Sequence, residues 1–184
     1  AAFVDIGFEK DAFLHYLDLG PQLRSLNKYT KQVQGSKEVT GLLNKFKGES
    51  DINKLGKMSQ VLTRGQQILV QVVKEPISTK GPRLSCELSL AGRYMVLVPF
   101  SSAINISKKI TDGDERKRLH RLISSIKPEN FGVIIRTVAK SKDVAELDKD
   151  LRNLVETWQE GMQRLKQAKP RDKVIGEMSR ASSL

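Results

Sequence analysis

The sequence predicts an α+β fold, and three observations carry that expectation. Two hairpin-like pairs of short alternating strands lie within residues 1–90. A basic stretch without strand character, about residues 20–64, interrupts them. From residue 91 the order becomes strand, helix, strand and then a long amphipathic helix.

Taken in order, AAFVDIGF reads as a strand with Ala2, Val4, Ile6 and Phe8 on one face and Phe3 and Asp5 on the other, and the turn GFEKD lets AFLHYL pair back on it. The next stretch holds Arg24, Lys28, Lys31, Lys37, Lys45, Lys47, Lys54, Lys57 and Arg64 against Glu38, Glu49 and Asp51. Within it, Val39, Leu42, Leu43 and Phe46 recur at helical spacing, so KEVTGLLNKFK is the expected helical piece. Strand character returns in QQILVQVVKE. After the turn PISTKGP, RLSCEL alternates with Leu84, Cys86 and Leu88 inward and Arg83, Ser85 and Glu87 outward. Two such hairpins suggest a small antiparallel barrel of OB type, but an OB barrel needs five strands and this stretch supplies four at most. The expectation is therefore an incomplete antiparallel OB-type barrel over residues 1–90 with a basic, partly helical insertion.

Beyond SLAG, YMVLVP and FGVIIRTVA read as buried strands. The helix between them, in DGDERKRLHRLISSI, sets Leu119, Leu122, Ile123 and Ile126 on one face. Asp143 and Glu146 form a capping-box pattern before a helix whose stripe is Val144, Leu147, Leu151, Leu154, Trp158, Met162 and Leu165, and Pro170 stops it. These elements make a small α/β subdomain over residues 91–169, with 170–184 expected as a linker into a further domain.

The formal charge of +11 and pI near 9.8 point to a polyanionic partner, nucleic acid first, with an acidic protein or membrane surface served by the same surplus. Charge runs are often merely solvated, so the insertion reads equally as a plain surface loop. The longest apolar runs are too short to span a bilayer. A single cysteine, Cys86, excludes an intrachain disulfide and fits a reducing compartment, so the expected location is the cytoplasm.

Two groups of residues are candidates for binding. The first hairpin brings Phe3 and Phe13 onto one outer face, where aromatic rings stack on unpaired bases, and Lys80 at the tip of the next hairpin would neutralise a phosphate. Ordinary core packing is the commoner role for aromatic residues at strand spacing. In IIRTVAKSK, Arg136 and Thr137 stand at a strand end beside Lys140, Ser141 and Lys142, just before a helix start. A guanidinium fork, a hydroxyl and free backbone N–H groups there suit a phosphate. Gly92 before a strand would let a ligand approach the backbone. A surface arginine beside a normal N-cap is the commoner reading of the same pattern. TDGDE lacks the rest of a calcium loop and is explained by helix capping, and no nucleophile, base and orienter arrangement stands out, so neither metal nor catalytic residues are expected in this chain.

AAFVDIGFEKDAFL, GQQILVQVVKE, TKGPRLSCELSLAGRYMVLVP, ISKKI and FGVIIRTVAKSK with a following helix bearing Trp158 resemble, in order and spacing, the bacterial ribonuclease E/G family of endoribonucleases. The resemblance implies an S-one-type OB barrel that binds single-stranded RNA, followed by a small subdomain that senses a 5′ monophosphate. Phe3, Phe13 and Lys80 then match RNA-binding positions, and Gly92, Val96, Arg136 and Thr137 match the 5′-phosphate pocket. It also implies an RNase H-like segment and a first barrel strand ahead of Ala1. For the intact protein, it implies a downstream magnesium-dependent nuclease domain, a structural zinc link and a homo-oligomer. The chain departs from the family in its longer basic insertion, and in Lys108 and Lys109 where relatives often carry arginine, which keeps charge and loses bidentate geometry. Two other readings are a stand-alone OB-type RNA-binding or ribosome-associated protein without catalysis, and a basic scaffold for an acidic protein.

Overall fold

A computed structural model describes residues 1–77 and 79–176. Its described residues form an α+β fold of two four-stranded mixed sheets and a long helix. The chain divides into two compact units, one of residues 1–39, 47–88 and 164–174, the other of residues 40–46, 89–163 and 175–176 among the described residues. The expected linker at 170–184 lies partly outside the described residues.

In the first unit, β1 (Ala2–Val4) and β2 (Ala12–Leu14) form the expected antiparallel hairpin. β1 is shorter than the sequence pattern because Asp5 turns the chain: its carboxylate accepts the Gly7 N–H at 3.0 Å and pairs with Arg171, and Gly7 takes φ +93. The sheet order is β1-β2-β4-β3, with β4 at Arg83–Ser85 and β3 at Gln71–Lys74. The β3–β4 pair is antiparallel with a bulge between Val72 and Lys74, whereas β2 and β4 run parallel. The expected all-antiparallel pairing of the incomplete barrel is thus corrected to a mixed sheet whose edges, β1 and β3, do not pair with each other, and the described residues contain no closed barrel.

Ala12, Leu14 and Leu84 are buried on one sheet face, and α1 (Leu23–Gly35) buries Leu23, Leu26, Tyr29 and Val33. The basic stretch is partly helical as expected, but its long helix is α1, while residues 37–47 are not helical. A short α2 (Met58–Val61) follows. Cys86 is inward as expected, but Ser85 is also buried, because its hydroxyl donates to the Asp18 carbonyl and accepts the Glu87 N–H.

In the second unit the sheet order is β5-β6-β8-β7, from β5 (Leu90–Ala91), β6 (Met95–Pro99), β8 (Phe131–Ile135) and β7 (Ile104–Ile106). β6 and β8 are antiparallel over five register pairs, and β7 lies parallel to β8 through the crossover helix α3 (Gly113–Ile126). Asp112 caps α3 by accepting the Asp114 N–H at 3.0 Å, the role expected of TDGDE. Leu119 and Ile123 are fully buried, with Leu122 and Ile126 half-buried beside them.

The long helix, α4 (Val144–Leu165), buries Leu147, Leu151, Leu154, Trp158, Met162 and Leu165 as its periodicity predicts. Val144, on the first turn, is instead exposed. Asp143 caps α4 through the Glu146 N–H at 2.9 Å. Trp158 donates from Nε1 to the Gly41 carbonyl at 2.8 Å and stands edge-on to Phe100 and Phe131. Asn130 Nδ2 donates to the carbonyls of Leu43 and Phe46, and the Phe46 and Phe100 ring centroids are 5.6 Å apart. Residues 40–46 are therefore stitched into the second unit. No helix among the described residues is long and apolar enough to cross a membrane.

Candidate nucleic-acid interface

On the first sheet, Phe3 stands directly opposite Phe13, and Phe13 opposite Arg83. Register partners point to the same face. Phe3, Phe13 and Arg83 therefore form a row across the face opposite the core residues Ala12, Leu14 and Leu84. Phe3 is 76% exposed and Phe13 half-buried, so the first ring is not a core residue. His15, the residue after β2, meets the Phe13 ring edge-on at 5.3 Å. Arg83 donates from Nε and Nη2 to the two carboxylate oxygens of Asp18 at 3.0 and 3.3 Å, which fixes the plane of its guanidinium.

Lys80 lies at the tip joining β3 to β4, where Ile77 and Lys80 exchange both backbone hydrogen bonds. Its side chain is exposed. Lys10 reaches the same tip through the Thr79 carbonyl at 3.0 Å. The sequence pairs Phe3 with Phe13 correctly as neighbours. Arg83 escapes it, because a parallel β2–β4 pairing leaves no local signal, whereas His15 stands two residues from Phe13 at strand spacing.

In the second unit, Arg136 closes β8, and Thr137 opens the 3₁₀ turn Thr137–Ala139. Arg136 Nη1 donates to the carbonyls of Gly92 and Arg93 at 3.0 and 3.1 Å. Among the described residues Nε and Nη2 carry no hydrogen bond, so the exposed guanidinium keeps about three of its five donors for an external acceptor. Thr137 Oγ1 lies 2.7 Å from Ser107 Oγ. Exposed Lys108 and Lys109 follow Ser107, and exposed Lys140 follows the 3₁₀ turn.

Gly92 lies on the turn that holds Arg136. A Cβ there would come within 2.8 Å of both Asp150 carboxylate oxygens and 2.9 Å of Leu154 Cδ1. Asp150 accepts the N–H groups of Arg93 and Tyr94 at 3.0 and 2.8 Å, so α4 grips the very turn whose carbonyls hold Arg136. The Arg93 guanidinium lies 5.2 Å over the Tyr94 ring. Val96 pairs with Ala91 and Ile134, so these three share the opposite sheet face from buried Met95 and Leu97, and Ile134 is exposed there.

The structure thus brings Arg136, Thr137 and the Gly92 carbonyl together, with Val96 on the adjoining β6. The α4 start is less open than its sequence suggests, since Asp143 already occupies the Glu146 N–H. Nearby, Glu115 accepts the Ser141 N–H and pairs with Arg118, which in turn donates to the Lys142 carbonyl at 2.9 Å. The Arg118 guanidinium first, and then the Ser141 N–H, pull the Glu115 carboxyl down to about 2. Asp150 and Ser107 were missed from sequence. Asp150 had a signal, an acid within the apolar register of Leu147, Leu151 and Leu154. Among the described residues no group of three or more His, Cys, Asp or Glu side chains is arranged to hold a metal ion.

The first unit thus carries an open aromatic row on its sheet, and the second an arginine braced by two carbonyls beside a hydroxyl. Comparison with known proteins gives the family: the ribonuclease E/G family profile matches residues 89–184. Ribonuclease G of Escherichia coli K12 is 36% identical over 98% of this chain and 33% of its own length. Ribonuclease E of Synechocystis is 37% identical over 86% of this chain and 20% of its own, and a ribonuclease E/G-like protein of Porphyra purpurea 40% over 86% and 26%. The chain belongs to the ribonuclease E/G family. It spans about a third of the length of the ribonuclease G relatives it matches.

Proposed function

We propose that this chain is the RNA-binding and 5′-monophosphate-sensing portion of a single-strand-specific endoribonuclease acting in RNA processing and decay in the cytoplasm. The first sheet is then the incomplete S-one-type barrel, with Phe3 and Phe13 stacking on bases and Lys80 facing the backbone. The subdomain at 91–169 grips the 5′ end through Gly92, Val96, Arg136 and Thr137. The observation that carries the reading is Arg136: two carbonyls hold one nitrogen, while Nε and Nη2 remain to meet phosphate oxygens. Thr137 adds a hydroxyl beside it, and Val96 and the turn at Gly92 wall the terminal nucleotide.

A 5′ monophosphate satisfies such a pocket. A 5′ hydroxyl offers no charge and a triphosphate is bulkier. In the whole enzyme the hydrolytic step belongs to magnesium-bound groups elsewhere, the protein assembles as a homo-oligomer, and this portion supplies position and selectivity.

The test compares two otherwise identical single-stranded RNAs ending in a 5′ monophosphate or a 5′ hydroxyl. Wild type favours the first, and Arg136→Ala brings the affinity ratio close to one. An unchanged ratio would remove Arg136 from the pocket. Affinity for either RNA falls with salt at a log–log slope of about −0.7 per phosphate neutralised.

A further inference from the structure

Thr137 does not stand alone at the mouth of the proposed pocket. Ser107, on the turn after β7, lies 2.7 Å from it, oxygen to oxygen, so one hydroxyl must donate to the other. The contacts of Ser107 favour one direction. Its Oγ already accepts the Lys109 N–H at 3.3 Å, which leaves its own proton to be placed. Thr137 Oγ1 is the acceptor at hand. Donation from Ser107 then frees the Thr137 proton to point outward.

The turn is held from several sides. Ser107 N donates to the Ile135 carbonyl at 2.9 Å, and its own carbonyl accepts Arg116 Nη1 at 2.9 Å and the Ile110 N–H at 3.1 Å. Arg116 also donates to the Ile110 carbonyl at 3.0 Å, so α3 clamps both ends of the turn. The Ser107 backbone is thus held by three hydrogen bonds that do not involve its side chain.

We propose that Ser107 is a positioning residue for phosphate recognition. Its hydroxyl links the Lys109 N–H to Thr137 Oγ1 in a one-way chain and fixes the threonine as a donor toward a terminal phosphate oxygen. Each bond in such a chain polarises the next. Without Ser107, the Thr137 proton has a second option, turning inward, and the phosphate loses a preset donor. The inference rests on the reading of Arg136 and Thr137 as the 5′-phosphate pocket.

The experiment measures, on the full chain, the affinity ratio of the monophosphorylated to the hydroxyl-ended RNA. Ser107→Ala lowers the ratio about 3- to 10-fold, the worth of one hydrogen bond. Ser107→Thr, which keeps the hydroxyl, restores most of it, and this separates positioning from mere packing. On a Thr137→Val background Ser107→Ala has less than a twofold further effect, because the group it orients is gone. If Ser107→Ala leaves the ratio within twofold of wild type while Thr137→Val collapses it, the relay is overturned and the pocket stands. Equal losses from Ser107→Ala with and without Thr137 also overturn it, since Ser107 then acts independently. If Arg136→Ala and Thr137→Val both leave the ratio unchanged, the pocket reading falls and the relay with it. Thermal melts of each variant separate these results from misfolding.

Discussion

Replacing Trp158 by phenylalanine isolates the contact that holds residues 40–46 in the second unit. The indole is 1% exposed, and its Nε1 donates to the Gly41 carbonyl at 2.8 Å inside the protein. Phenylalanine keeps an aromatic ring against Phe100 and Phe131 but leaves that carbonyl without its donor, at a cost of about 1–3 kcal/mol. The smaller ring adds a cavity penalty on the order of 1 kcal/mol. The expected loss is about 2–4 kcal/mol, a large share of the roughly 5–15 kcal/mol that stabilises a typical domain. Urea unfolding followed by far-ultraviolet circular dichroism measures it, since Trp158 is the sole tryptophan and its fluorescence disappears with it. With m of about 2 kcal/mol per molar, the midpoint falls by roughly 1–2 M. A change below about 0.5 kcal/mol refutes the account. Gly41→Ala attacks the same junction from the other side: Gly41 has φ +95, and a Cβ there lies 2.9 Å from Gln159 Cα. Left-handed backbone costs a residue with a Cβ about 1–2 kcal/mol before any clash, so this variant must also be destabilised.

Phe3→Ala changes stability by less than about 0.5 kcal/mol because the ring is exposed. It weakens single-stranded RNA binding about 5- to 100-fold, and filter binding beside urea unfolding separates the two effects. Glu115 has a folded carboxyl pKa lowered to about 2 from 4.5, so its contribution is fully present above about pH 4.5 and is lost as pH falls through 2. Accordingly, the stability gap between wild type and Glu115→Gln closes over that window in a pH series of denaturation curves. Burial raises the Cys86 thiol to about 12, so a thiol reagent at pH 8 leaves it unmodified in the native protein and labels it on unfolding.

Sequence periodicity reached the elements whose packing is local. α3 and α4 each carry a regular apolar stripe and an acidic N-cap, and both formed where those signals stand. The Phe3–Phe13 pairing followed from a hairpin, which is also local. Residues 37–47 went the other way. Val39, Leu42, Leu43 and Phe46 have helical spacing, but Gly41 and Lys45 take positive φ so that the chain can meet Trp158 and Asn130. Tertiary contacts there outweigh a short periodicity that lacks a cap. α1 did carry a stripe, in Leu23, Leu26, Tyr29 and Val33, obscured by the lysines on its wet face. β5 and β7 are too short to announce themselves, and the parallel β7–β8 register that brings Ser107 to Thr137 joins residues thirty apart. Arg136 and Thr137 were visible as chemistry. The group that orients one of them became visible only in space.

The alternation of the chain between its two units also sets a timetable for its synthesis. Residues 1–39 and 47–88 leave the ribosome early, but the first unit also needs residues 164–174. Until those emerge, Asp5 has no Arg171 to pair with and the Gln34 amide lacks the Leu165 carbonyl. At about 5–20 residues per second, translation of Ser89–Gln163 keeps the nascent first unit waiting roughly 4–15 s. During that interval the turn after β1, itself an edge strand, lacks the ion pair that fixes it, so this end of the sheet is where a nascent-chain chaperone has most to protect.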